Sequence, residues 1–211
     1  MASETLRDVT TIYSRLAFIY DTWTHFTESR SLALALDSAS IRDGEAVLEI
    51  AVGTGIVFRE ILQRNPSGRN VGIDLTEAML ERARSRADAV GTPYELVRAD
   101  ARALSFPSAS FDVVMNNNML GLVPREMIAP ILAEMFRVLR PSGRLVMATM
   151  MHPPGPLAEL VYRVGASWLG GWRDVDAEPF VRAAGFVELR RESVTQLGIP
   201  THVLRATKPS T

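Results

Sequence analysis

The chain has 211 residues, of which 47% are hydrophobic and 22% charged, and its formal net charge is -1. That length suffices for one well-buried core and is short for two, and the near-neutral balance argues against a nucleic-acid ligand held by broad phosphate neutralisation. Cysteine is absent and Lys208 is the only lysine, which excludes disulfides, thiolate nucleophiles, cysteine-ligated zinc and a lysine Schiff base in the body of the fold.

The opening residues, MASETLRDVTTIYSRL, carry charges where a secretory leader needs an apolar run. No apolar stretch approaches the roughly 20 residues that span a bilayer, so a cytoplasmic location is expected. His25, His152 and His202 are far apart and no carboxylates cluster around them, so no metal site is expected.

Residues 4–36 read as helical, because Leu6, Val9, Tyr13, Leu16, Ala17 and Tyr20 recur three and four apart. A second helical run, ESRSLALALDSAS, completes a helical cover over residues 1–40. The first strand is AVLEIAV (46–52), followed by a turn with Gly53 and Gly55 and a helix from about Val57 to Arg64 that stops at NPSG. NVGIDL (70–75) is a second strand. Thr76 is placed to cap the helix EAMLERARSRADAV, which Gly91 ends. YELVRAD (94–100) and DVVMNN (112–117) are the third and fourth strands. A helix from about Arg125 to Leu139 ends at RPSG, and RLVMATMM (144–151) is the fifth strand. PFVRAAGF is a short helix, and VELRRESVT and THVLRATK are two last strands joined by QLGIP.

Strands alternating with helices at this spacing predict a Rossmann-like, doubly wound α/β domain: a mostly parallel seven-stranded sheet with helices on both faces, all in one domain over 1–211. Segment 152–173 interrupts the rhythm with prolines and glycines around an apolar stretch that includes Trp168 and Trp172. It is either a helix packed on the core or a lid and substrate wall near the carboxyl ends of the strands.

A glycine turn between a strand and a helix admits a ligand to the backbone. The dinucleotide fingerprint wants a third small residue where Phe58 stands, and Glu49 at the strand's end disfavours a pyrophosphate. LEIAVGTG resembles instead the first motif of class I S-adenosylmethionine-dependent methyltransferases, E/D-x-G-x-G-x-G, with Ala51 in place of the first glycine. That exchange costs little if Ala51 keeps ordinary strand angles. VGIDLTEAMLERAR, RADARALSFPSASFDVV and MFRVLRPSGRLVM resemble further segments of the same family, so the likeness covers about residues 45–150.

The resemblance implies S-adenosyl-L-methionine as cofactor. Glu49 would help hold its ammonium end, with close backbone approach at Ala51, Gly53, Thr54 and Gly55. Asp74 would accept from the ribose hydroxyls, Leu75 and Met79 would sandwich the adenine, and Asp100 with Ala101 would meet its polar edge. Each aspartate also has a bland reading, as a strand end or a turn cap.

YSRLAFIYDTWTH is similar to the Y-x-x-x-A-x-x-Y-D element of ubiquinone/menaquinone-biosynthesis-like methyltransferases and small bacterial phospholipid N-methyltransferases. On that likeness Tyr20 would contact the methionine end, and Tyr13 would line the acceptor site or face the core. In NNNM (116–119), Asn116 would lie by the cofactor's amino-acid part and Asn117 would face the acceptor, while Asn118 suits a turn. Trp168 would belong to the acceptor wall. His152 is either a general base or a structural histidine. The expected function is methyl transfer to a small, partly apolar acceptor, a phospholipid headgroup or a quinone-like or aromatic molecule. Nucleic acid is not an expected partner, and peripheral membrane contact and oligomeric state are left open. The competing reading is a non-catalytic protein of the same fold that binds S-adenosylmethionine.

Overall fold

The computed structural model describes residues 28–156, 159, 160 and 173–210. The expectations for the helix before residue 28, with Tyr13, Tyr20 and His25, and for Trp168 and Trp172 lie outside these residues.

A helix covers residues 28–39 (α1). Five elements follow in strict alternation: β1 (Ala46–Ile50), α2 (Ile56–Arg64), β2 (Arg69–Asp74), α3 (Glu77–Asp88) and β3 (Glu95–Arg98). Then come β4 (Phe111–Asn117), α4 (Arg125–Val138), β5 (Leu139–Met150), a short α5 (Glu178–Ala183), β6 (Val187–Gln196) and β7 (Ile199–Thr207). The strands form one seven-stranded sheet in the order β3-β2-β1-β4-β5-β7-β6. β1 to β5 are parallel, and β7 runs antiparallel to both β5 and β6. The architecture expected from the alternation is the one observed.

The burial pattern follows from the pairing. All five residues of β1 are buried, because the strand has a neighbour on each side and a helical layer on each face. On one face α1, α2 and α3 bring Leu32, Leu36, Phe58, Ile61 and Leu80 onto Val47, Val113 and Met115. On the other, α4 and α5 bring Ile128, Ile131, Met135 and Val181 onto Leu48, Ile50, Val114 and Leu145. Phe58 fills the gap between α2 and the sheet. It fits because Gly72 beneath it is bare: a Cβ there would lie 3.3 Å from the Phe58 ring and 2.7 Å from Leu96.

Three local expectations change. α4 stops at Val138, just before RPSG, as expected, but RPSG lies within β5 and not ahead of it. β5 begins at Leu139, pairs with Phe111, and resumes at Arg144 opposite Val113 after a bulge in which Ser142 takes φ 62°. Thr76 makes no side-chain cap on α3, because its hydroxyl donates to Asp74 Oδ1 at 2.7 Å. Ala51 leaves the strand region altogether, with φ 59°, so the alanine sits in the left-handed conformation that the missing glycine would favour.

The carbonyls at the carboxyl end of α1 are held by cations from the sheet. Arg144 Nε donates to Ala39 O at 2.9 Å and Arg205 Nη1 to Ser38 O at 3.1 Å, the charge sign a helix C-terminus favours. This contact lays α1 along the sheet with its first described residue, Glu28, toward the carboxyl ends of the strands.

Candidate active site

The strand order turns outward in both directions from the β1–β4 pair, so the loops after these strands separate and leave a crevice at their carboxyl ends. A cavity of roughly 950 Å³, its open mouth included, occupies that place. It is walled by Ala51 and Gly53 after β1, Asp74 to Thr76 and Met79 after β2, Ala99 to Arg102 after β3, and Asn117 to Met119 after β4. Leu122, Val123 and Met127 complete an apolar wall.

The turn after β1 is tied to the end of β2. Val52 N–H donates to Ile73 O at 2.9 Å, and Gly53 N–H donates to Asp74 Oδ2 at 3.0 Å. Asp74 Oδ1 accepts from Thr76 N–H at 2.9 Å and from its hydroxyl. Asp74 therefore clasps two loops. A carboxylate has about four lone-pair sites, which leaves it acceptor capacity toward the cavity.

The two glycines do different work. Gly53 has φ 55° and lines the cavity, and a Cβ there would have only Ala51 O near it, at 4.0 Å. Gly55 has φ 84°, precedes α2 and is turned away from the cavity: a Cβ would come within 2.7 Å of Ala83 Cα on α3. Close approach at Gly55 is thus between parts of the chain, not between chain and ligand.

Glu49 is 2% exposed. Its Oε1 accepts from Asn117 Nδ2 at 3.4 Å, and its Oε2 has no hydrogen-bond partner among the described residues. Burial pushes its carboxyl group up to about 8, the Asn117 donor offsets part of that, and the charge of Asp74 adds to it. Asn117 Oδ1 is buried and likewise without a partner among the described residues.

Asp100 is held by Arg102, whose Nη2 lies 2.6 Å from Oδ2 and whose Nε lies 3.0 Å from both oxygens. These hydrogen bonds hold the Asp100 carboxyl below the usual carboxylate range, against a smaller effect of burial. Both residues line the cavity, and Arg102 Nη1 also rests 3.9 Å from Met127 Sδ.

Residues 47–143 match the family described as a methyltransferase domain. The demethylmenaquinone methyltransferase of Thermus thermophilus is 38% identical over 135 residues, which are 64% of this chain and 59% of that one. The ubiquinone/menaquinone biosynthesis C-methyltransferase of Paracoccus denitrificans is 34% identical over 157 residues, 72% of this chain and 62% of its own. Over these residues the chain resembles a class I methyltransferase. It spans about three fifths of the length of these two relatives. Among solved structures, the Haemonchus contortus phosphoethanolamine N-methyltransferase 2, in complex with phosphomonomethylethanolamine and S-adenosylhomocysteine, superposes with a TM-score of 0.70. At 16% identity, covering 86% of this chain and 53% of that one, it shares the fold.

Within residues 47–143, the structure brings Ala51, Gly53, Asp74, Leu75, Met79, Asp100, Ala101 and Asn117 to one cavity, with Glu49 behind Asn117. Four expected residues stand elsewhere. Gly55 packs on α3, as described. Thr54 is 2% exposed, and its carbonyl accepts from Arg86 on α3 instead of facing the cavity. Asn116 is fully buried on the α4 side, where its Nδ2 donates to Ile50 O at 2.9 Å. Side chains alternate along a strand, so Asn117 and not Asn116 shares a face with Glu49. His152 is outside the cavity wall, its side chain 52% exposed and its Nε2 2.7 Å from Glu159 Oε2.

The cavity and its surroundings also include residues that the sequence did not assign to it. Arg102 lacks any local pattern, and its signal is only its place two residues after Asp100. Asn118 has φ 57°, as its turn reading required, yet its side chain is buried between α1 and β5 at the cavity wall. Arg173, where segment 152–173 ends, donates its N–H to Gly121 O at 2.8 Å, which brings the end of that segment beside the apolar wall.

Proposed function

We propose that the protein catalyses S-adenosylmethionine-dependent methyl transfer to a small, partly apolar acceptor, and that a quinone-like ring is the acceptor class. One observation carries the cofactor assignment: Glu49 Oε2 and Asn117 Oδ1 are buried oxygens with no donor among the described residues, beside the glycine turn. Buried acceptors are normally paired. An ammonium brings three donors and a positive charge, so the residues fit the amino-acid end of this cofactor. A pyrophosphate would add negative charge beside Glu49 and Asp74.

On this reading Glu49, Asn117 and the backbone at Ala51 and Gly53 hold the amino-acid end. Asp74 uses its one remaining lone-pair site on a ribose hydroxyl. Leu75 and Met79 flank the adenine, and Asp100, steadied by Arg102, meets its polar edge with the Ala101 backbone. When bound, S-adenosylmethionine supplies an electrophilic methyl group on a sulfonium. The chain's own contribution is alignment and exclusion of water by the apolar wall, and alignment supplies much of the acceleration of such a transfer. The roles that the family resemblance implies for Tyr20, Tyr13 and Trp168 fall on residues outside the described ones. His152 has no part in the transfer.

The acceptor class is supported by the names of the two relatives, both quinone-pathway methyltransferases at 38% and 34% identity. A phospholipid headgroup has only a fold-level likeness behind it. Among the described residues no helix is long and apolar enough to cross a membrane, and collection of a lipophilic acceptor would use a peripheral contact. The test supplies methyl-labelled cofactor with a demethylated quinone-like acceptor and, separately, with an ethanolamine phospholipid. Label in the quinone, with stoichiometric S-adenosylhomocysteine, supports the reading. Label in the phospholipid overturns the acceptor class. Tight cofactor binding without turnover on either moves the assignment to a non-catalytic binding protein.

A further inference from the structure

Glu28 stands one helical turn before Leu32 and two before Ala35 and Leu36, so the helical period that buries those residues also buries it. It is 3% exposed. A buried carboxyl group needs a hydrogen-bond partner, and Asn118 Nδ2 donates to Glu28 Oε2 at 2.8 Å. Asn118 is fixed on its other sides too. Its Oδ1 accepts from Met150 N–H at 3.1 Å, and its own N–H donates to Ala148 O at 2.9 Å. Its φ of 57° is one that asparagine tolerates better than most residues. The amide therefore sits between the end of β5 and Glu28 on α1, at the point where the chain leaves β4. It lines the cavity itself, and the loop it starts carries Met119, Leu122 and Val123 into the apolar wall. α1 is anchored independently near Glu28, by Arg30 N–H to Gln196 Oε1 at 2.9 Å from the β6–β7 hairpin, so Glu28 is not needed merely to hold the helix down.

We propose that Glu28 is a positioning residue for the ligand cavity: through the Asn118 amide it sets the β4–α4 loop that forms the cavity's apolar wall. The inference rests on the reading of the cavity as the cofactor site. It follows that an acceptor atom at Glu28 is required and its charge is not, because a carboxamide oxygen accepts from Asn118 Nδ2 as a carboxyl oxygen does. Removal of the acceptor leaves a buried amide donor unpaired and releases the loop, while α1 stays docked through Leu32, Leu36 and Gln196.

The experiment measures S-adenosylhomocysteine affinity by calorimetry in five variants of the 211-residue chain, with denaturant melts alongside. Glu28→Ala should weaken binding at least tenfold, and Glu28→Gln should stay within twofold of wild type. Leu36→Ala, a core truncation on the same helix, should lose stability and keep its affinity, which separates positioning from general loosening. The paired variant Glu28→Gln with Asn118→Asp exchanges donor and acceptor across the contact. It should recover to within threefold of wild type, whereas Asn118→Asp alone, with two carboxyl groups opposed, should lose tenfold or more. If Glu28→Ala fails to fold, that exchange pair carries the test. Wild-type affinity in Glu28→Ala, equal loss in Leu36→Ala, or no recovery in the exchange pair overturns the positioning role alone. Absence of binding by the wild type overturns the cofactor reading and this inference with it.

Discussion

Glu49 and Asn117 meet across the β1–β4 pair, with Asn117 Nδ2 3.4 Å from Glu49 Oε1, and each keeps a buried oxygen without a partner among the described residues. The contact is long, so it compensates the burial of Glu49 only in part, and the carboxyl group stays at about 8. A cation placed against it reverses that balance.

Ligand binding should therefore release a proton. At pH 7 the Glu49 carboxyl group is mostly protonated in the free protein, and an adjacent ammonium favours the ionised form. Calorimetry of S-adenosylhomocysteine at pH 7, repeated in buffers of different ionisation enthalpy, should show close to one proton released. Glu49→Gln should abolish the release and weaken binding at least tenfold. Binding with no buffer dependence in the wild type would place the ammonium away from Glu49.

The unliganded protein should lose stability as the pH rises. Burial raises Glu28 to about 7 and Glu49 to about 8 from a usual value of 4.5. Between 4.5 and these values the folded chain binds more protons than the unfolded one, so stability falls with pH and levels off above about 8. Burial also lowers His202, which works the other way through its usual value of 6.5. The glutamates are therefore read most cleanly from pH 7 to 8. Denaturant melts across pH 5 to 8 should show a decline that is shallower in Glu49→Gln, most visibly above pH 7.

Asp74→Ala should harm both binding and the fold. The carboxylate accepts from Gly53 N–H and from both donors of Thr76, so its loss should cost about 1.5–3 kcal/mol of stability. S-adenosylhomocysteine affinity should drop at least tenfold in the same variant. Unchanged affinity, measured where the variant is fully folded, would remove Asp74 from the ribose.

The turn residues should separate backbone strain from ligand access. Ala51→Gly relieves a left-handed alanine and should stabilise the protein by about 0.5–1 kcal/mol after the added glycine entropy. Gly55→Ala drives a Cβ into the α3 backbone and should cost roughly 1–3 kcal/mol from packing alone. Gly53→Val enters open cavity space but forces a branched residue to φ 55°, so stability should fall by roughly 1–2 kcal/mol while binding is lost more completely. Melts and titrations on the three variants check all of these, and normal binding by Gly53→Val would make the turn purely structural.

Much of this was legible before any coordinates. The alternation of strands and helices, the glycine turn after β1, and the acids at the ends of β1, β2 and β3 are local patterns, and local patterns follow from backbone period and turn chemistry. Hence the sheet, its crevice and most of the cavity's polar residues were expected at the positions where they stand. The sequence by itself determined which segments are strands and that their carboxyl ends carry carboxylates.

What the tertiary structure decided is how side chains meet across distant segments. Three consecutive asparagines look alike in sequence. One is sealed in the α4-side core, one faces Glu49, and one bridges α1 and β5, because a strand turns alternate residues to opposite faces and a left-handed residue then redirects the chain. Glu28 and Asn118 are ninety positions apart, so only the docking of α1 on the sheet makes them partners. His152 and Gly55 stand away from the cavity wall for the same reason: residue type and spacing state what a side chain is able to do, and packing decides what lies within its reach.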